Sequence, residues 1–152
     1  MLYYLSLGSN LGDRESTLRS ALQLIEQRIG SVLRCSSFYY SKPWGFTSQN
    51  DFCNLCCALE TDLPPLKVLH LTQTIERSLG RTQKTQIIKH QTSNIKHQTS
   101  IYSDRTIDID LIRVFDNDKK ELFMDSPELT LPHRFWRERD FVKTPLAEIM
   151  PR

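Results

Sequence analysis

In the stretch Asp104-Arg105-Thr106-Ile107-Asp108-Ile109-Asp110-Leu111-Ile112, polar and apolar residues alternate with the two-residue period of a strand. Ile107, Ile109 and Leu111 form one face, suited to a hydrophobic core, while Thr106, Asp108 and Asp110 share the other. The alternation carries that second face on through Ile112 and Val114, so it turns apolar one residue pair beyond the carboxylates. A freely solvated face would stay polar along its length.

Two carboxylates at i and i+2 on a strand have Cα atoms roughly 6.5 Å apart, and ionising both is unfavourable unless a positive charge stands between them. A hard divalent cation such as Mg²⁺ meets that need with one or two carboxylates plus substrate phosphates. Two metals about 4 Å apart can share such a pair. An edge strand with a decorated outer face carries the same pattern. Arg105 and Thr106, a pair suited to phosphate, tip the balance toward a site.

At 152 residues the chain is expected to form one domain, residues 1–152, with a real core. A formal net charge of +2 gives no electrostatic case for a nucleic-acid partner. No run approaches the roughly 18 apolar residues of a membrane span, and Met1 leads into a strand pattern without a basic leader. A cytoplasmic protein is therefore expected. Cys53 and Cys56 match C-x-x-C, but no second cysteine pair and no nearby histidine completes a zinc set. Cys35, Cys53, Cys56 and Cys57 are expected to be buried, reduced thiols.

The remaining chain supplies an order of elements. Leu2 to Leu7 reads as a strand, closed by a turn and helix cap over Gly8-Ser9-Asn10-Leu11-Gly12-Asp13, which lacks the P-loop and dinucleotide fingerprints. Leu18, Ala21, Leu22, Ile25 and Ile29 then form the stripe of a helix that Gly30 can end. Val32 to Tyr40 predicts a second strand, followed by a loop with Trp44 and Phe46. In a third strand over 51–61, Cys53, Leu55, Cys57 and Leu59 share the helix-facing side. Phe52 and Asn54 share the other, an aromatic platform beside an amide, suited to a flat heteroaromatic ring. A second helix starts at Pro64-Pro65 and runs to Gly80, with Gln73 and Glu76 on one face. Asp116-Asn117-Asp118 is a turn before a short strand over Glu121 to Met124. Leu131-Pro132-His133-Arg134 opens a helical turn, Arg134, Arg137 and Arg139 follow, and a last helix covers Phe141 to Ile149. Clustered arginines beside a carboxylate strand suit a polyphosphate.

Between the second helix and the opening stretch, Ile88 to Asn94 and Ile95 to Ile101 repeat almost perfectly, IKHQTSN then IKHQTSI. Each repeat starts on an isoleucine, has at most two apolar residues and carries no acidic one, so it cannot pack as a coiled coil. Residues 82–103 are expected to form a long mobile loop.

The motif Arg105-Thr106-Ile107-Asp108-Ile109-Asp110, with Leu131-Pro132-His133 downstream and Gly8-Ser9-Asn10-Leu11-Gly12 upstream, resembles the hydroxymethyl-dihydropterin pyrophosphokinases of folate biosynthesis. The resemblance covers nearly the whole chain in the family's motif order. It implies an α+β fold, a ferredoxin-like βαββαβ sandwich with an added hairpin and C-terminal helices. It implies Mg-dependent transfer of pyrophosphate from ATP to 6-hydroxymethyl-7,8-dihydropterin, releasing AMP. By the same resemblance, Asp108 and Asp110 would hold two Mg²⁺ ions, and Arg81 and Arg105 would clamp phosphates. Gln73, Glu76, Leu111, Thr130, His133 and Arg139 match positions lining the ATP site. Phe52 and Phe141 would sandwich the pterin, Asn54 would read its edge, and groups around Ser41 and Trp44 would complete its recognition. Tyr102-Ser103-Asp104 and Gln83 depart from the family pattern. The partners expected are these small molecules alone, with no nucleic acid, no membrane and a monomeric chain. An RNA- or ligand-binding module of the same fold, or a metal-dependent phosphohydrolase using the same carboxylates, are the rival readings.

Overall fold

The computed structural model describes residues 1–42, 50–80 and 106–151. In chain order the elements are β1 (Leu2–Ser9), α1 (Arg14–Arg28), β2 (Ser31–Cys35), β3 (Tyr39–Ser41), β4 (Phe52–Glu60), α2 (Pro65–Ser78), β5 (Asp108–Phe115), β6 (Met124–Asp125), β7 (Thr130–Leu131) and α3 (Asp140–Ile149). The main sheet runs β2-β4-β1-β5, with β3 also on β4, and every pairing is antiparallel. With β2 and β3 taken as one interrupted strand, this is the ferredoxin-like βαββαβ order expected from the sequence.

The helices form where their apolar stripes direct them, α1 with a side-chain cap. Asp13 accepts a hydrogen bond from the Ser16 N–H at 3.2 Å and starts α1; Leu18, Ala21 and Ile25 are its buried face. Pro65 opens α2, where a missing N–H costs nothing. These two helices cover one face of the sheet, enclosing Tyr3, Leu5, Leu7, Cys53, Leu55, Ile109 and Leu111 with Val68 and Ile75. On the opposite face α3 lays Val142, Leu146 and Ile149 over Tyr4, Cys56, Ala58 and Ile112. The sheet face beyond the N-terminal end of α3 carries the C-terminal end of β1 and the starts of β4 and β5.

Several expectations need correction. β1 extends through Gly8 and Ser9, so these residues belong to the strand and not to the turn. The strand expected over 32–40 is broken at Ser36 to Phe38. There Ser36 replaces part of the ladder: its N–H donates to the Cys56 carbonyl and its Oγ accepts from the Cys56 N–H. Glu148 of α3 takes the Ser37 N–H and hydroxyl, both at 2.9 Å. Cys35 lies exposed on the edge strand β2, whereas Cys53, Cys56 and Cys57 are buried and all four are free thiols. The segment after the Asp116 turn touches β5 through the Phe115–Glu121 bridge and then pairs β6 with β7.

The most consequential correction lies in β5. Tyr4 pairs with Arg113 and Leu5 with Leu111, which leaves Ile112 as an extra residue, a β-bulge. The insertion shifts the alternation by one. Ile112 therefore keeps to the face of the carboxylates, under α3, while Val114 crosses to the helix side with Tyr3 and Leu5.

Candidate active site

Register places the site. Tyr39 pairs with Asn54, Asn54 with Gly8 and Gly8 with Asp108, so these four form one row across the sheet. Cys56, Ser6 and Asp110 make the next row. The amide-bearing strand and the carboxylate-bearing strand thus flank β1, two strand spacings or about 10 Å apart. Their side chains emerge on the face that α3 leaves open.

On the β4 side, Asn54 is 2% exposed and its Nδ2 donates to the Tyr39 carbonyl at 3.0 Å and to Ser41 Oγ at 2.8 Å. Both amide hydrogens are thereby committed. Phe52, two residues earlier on the same face and half-buried, sets a ring beside the amide. An aromatic surface next to a fixed polar edge is suited to a flat ring with hydrogen-bonding groups on its rim.

On the β5 side, Asp108 and Asp110 point to one face, both half-buried. The Asp110 carboxyl is held well above the usual carboxylate range, first by burial and then by the negative charges of Asp108 and Glu76, with Arg139 opposing. Glu76, 7% exposed on α2, accepts the Ile109 N–H at 2.7 Å and so pins the start of β5. Acids forced together in this way gain most from a cation. Among the described residues, no three His, Cys, Asp or Glu side chains converge as a closed metal site. The donor set fits a hard cation that completes its shell with substrate oxygens.

The segment after β7 supplies the positive side. The His133 N–H donates to the carbonyl of Ile112, the bulge residue, at 2.8 Å. Its Nδ1 accepts from the Phe135 N–H at 3.2 Å. Burial, then the Arg139 charge, pushes its pKa down to about 4, so near neutral pH the ring is uncharged with its proton on Nε2. Arg139, 8% exposed, sits over Phe135 and Phe141 at 5.5 and 5.6 Å from the ring centroids.

The structure therefore brings Ser41, Phe52, Asn54, Glu76, Asp108, Asp110, His133, Arg139 and Phe141 to one end of the sheet. Gln73 lies exposed on α2, and Thr130 is half-buried on β7. The Leu111 side chain is in the core under α1 and α2, so only its backbone is available to a ligand. Trp44, Arg81, Arg105 and the loop 82–103 lie outside the described residues. Gly8 is expected from the sequence only as part of a turn motif, and its place between Asn54 and Asp108 is revealed by the strand register alone. Phe135 is absent from the expected site residues, although the spacing Phe135-x3-Arg139 on a helical turn points to it.

A family model described as 7,8-dihydro-6-hydroxymethylpterin-pyrophosphokinase (HPPK) matches residues 4–151. A 2-amino-4-hydroxy-6-hydroxymethyldihydropteridine pyrophosphokinase of Porphyromonas gingivalis is 45% identical over 150 residues, covering 99% of this chain and 91% of that one. The Bacillus subtilis protein of the same name is 36% identical over 147 residues, 96% and 76% of the two chains. Among solved structures, an HPPK-DHPS in complex with substrates superposes with a TM-score of 0.65 at 14% identity, covering 99% of this chain. The present chain spans 40% of the length of that protein, and its likeness bears on the fold alone.

Proposed function

This chain belongs to the 7,8-dihydro-6-hydroxymethylpterin-pyrophosphokinase family, and from that membership we propose that it transfers pyrophosphate from ATP to 6-hydroxymethyl-7,8-dihydropterin with the help of Mg²⁺. The protein is a pyrophosphokinase, a diphosphotransferase of folate biosynthesis. In the proposed reaction the hydroxymethyl oxygen gives up its proton to solvent and bonds to the β-phosphorus of ATP, the bond from that phosphorus to the α–β bridging oxygen breaks, and AMP leaves with that oxygen. What carries the reading is the placement of Asp108 and Asp110 across one strand from Asn54 and Phe52. That placement suits two substrates meeting above β1.

Phosphoryl transfer needs chiefly positioning and charge neutralisation. Asp108 and Asp110 would hold the Mg²⁺ ions; when bound, these would supply Lewis acidity toward the phosphate oxygens and offset the charge on departing AMP. Asn54 and Phe52 would fix the pterin ring from β4, with Phe141 and the groups around Ser41 and Trp44 completing its slot. Glu76 would hold β5 in place through the Ile109 N–H. His133, uncharged, would offer its Nε2 proton to ATP, beside Arg139. Arg81, Arg105, Gln73, Thr130 and the Leu111 backbone would complete the grip on ATP. We read the protein as a one-domain cytoplasmic monomer; among the described residues no helix is long and apolar enough to cross a membrane.

The test is a ³¹P spectrum of protein, ATP, Mg²⁺ and the pterin. AMP and a pterin pyrophosphate ester should appear in equal amounts. Inorganic phosphate released without the pterin would instead make the protein a phosphohydrolase.

A further inference from the structure

Gly8 lies in the middle of the row that joins the two halves of the site, opposite Asn54 on β4 and Asp108 on β5. A Cβ at this position would stand 2.9 Å from Asn54 Oδ1 and 3.4 Å from the Phe52 ring. The amide and the ring of the candidate ring slot therefore both lean over the bare Cα. The Asn54 amide has no freedom to swing aside without loss, because its Nδ2 donates both to the Tyr39 carbonyl and to Ser41 Oγ. The Tyr39 carbonyl can only accept, which fixes the nitrogen on that side and leaves Oδ1 as the atom the amide can offer.

We propose that Gly8 is a positioning residue of the ring subsite: its missing side chain lets Asn54 lie across β1 as a fixed acceptor, selecting rings that present a donor edge there. The inference rests on the reading that Asn54 faces the pterin. A methyl group at position 8 displaces Oδ1, and the amide then loses the Tyr39 or the Ser41 hydrogen bond. The effect reaches the substrate through Asn54.

Two readouts test this on the intact chain. In ¹⁵N-labelled protein without ligand, Gly8→Ala should speed hydrogen exchange of the Asn54 side-chain amide by at least about tenfold. In a titration with 6-hydroxymethylpterin followed by its fluorescence, Gly8→Ala should raise Kd roughly tenfold. Added to Asn54→Ala, the same change should move Kd by less than about twofold, since the group it displaces is already gone. Unchanged Asn54 exchange in Gly8→Ala, or effects that simply add in the double variant, would overturn the proposal. If Gly8→Ala fails to fold, Ser41→Ala decides: it removes one acceptor without steric load and should speed exchange at Asn54, and unaltered exchange would count against the fixed amide. Wild-type protein that does not bind the pterin would sink the ligand reading, while the Asn54 exchange rates would still settle the role of Gly8.

Discussion

His133 shows how a single residue's surroundings set its chemistry. In the unfolded chain it takes its proton near 6.5, and in the folded one only near 4, because burial and Arg139 disfavour the cation. The unfolded state thus binds more protons between those values, so the stability tied to this histidine is fully present above 6.5 and is lost as the pH falls toward 4. Urea unfolding across that range should show a decline that is shallower, by up to one proton's worth of slope, in His133→Gln. An equal slope in both proteins would mean that the histidine protonates freely in the fold. That a histidine follows Leu131-Pro132 is plain in the sequence; its neutral state is not, because it depends first on burial and then on an arginine packed against Phe135 and Phe141. Likewise the i, i+2 spacing put Asp108 beside Asp110 and Phe52 beside Asn54, whereas the helix spacing that paired Glu76 with Gln73 carried no sign that Glu76 would accept the Ile109 N–H of β5.

At the scale of elements, the bulge at Ile112 and the break at Ser36 are where periodicity misled. An inserted residue leaves the polar and apolar pattern looking continuous on paper while moving Val114 to the other face. The serines at 36 and 37 are compatible with a strand; it is Cys56 and Glu148 that divert them. The α3 contact is apolar at its centre. Leu146, 1% exposed, fills the cluster with Tyr4, Ala58 and Ile112, so Leu146→Ala should cost about 2–5 kcal/mol in denaturant unfolding. A loss below about 0.5 kcal/mol would show α3 to be loosely docked. The duplicated heptads make a contrasting case. Gly80 and Thr106 flank them in sequence, and a Cβ on Gly80 would lie 3.7 Å from Thr106 Oγ1, so the two ends of the intervening segment are held together by the fold. Removing residues 95–101 should therefore change stability by only a few tenths of a kcal/mol. A large shift in the urea midpoint would mean that the repeat contributes packing of its own.

For the whole molecule, the order of elements was legible because strand and helix periods alternate clearly, and the ferredoxin-like sheet is the one the resemblance of the motifs implied. The meeting of β1, β4 and β5 at one end was not, since no local pattern encodes which residues face one another across strands. That meeting is what assembles an aromatic ring, an amide and a carboxylate pair on one surface. Whether that surface is the reaction centre is decided by AMP formation from ATP, Mg²⁺ and 6-hydroxymethyl-7,8-dihydropterin in wild type and Asp110→Ala. Pterin-dependent AMP formation should appear in wild type and fall by at least about 100-fold in the variant, as loss of several kcal/mol of charge stabilisation requires. Near wild-type turnover by Asp110→Ala would contradict that assignment.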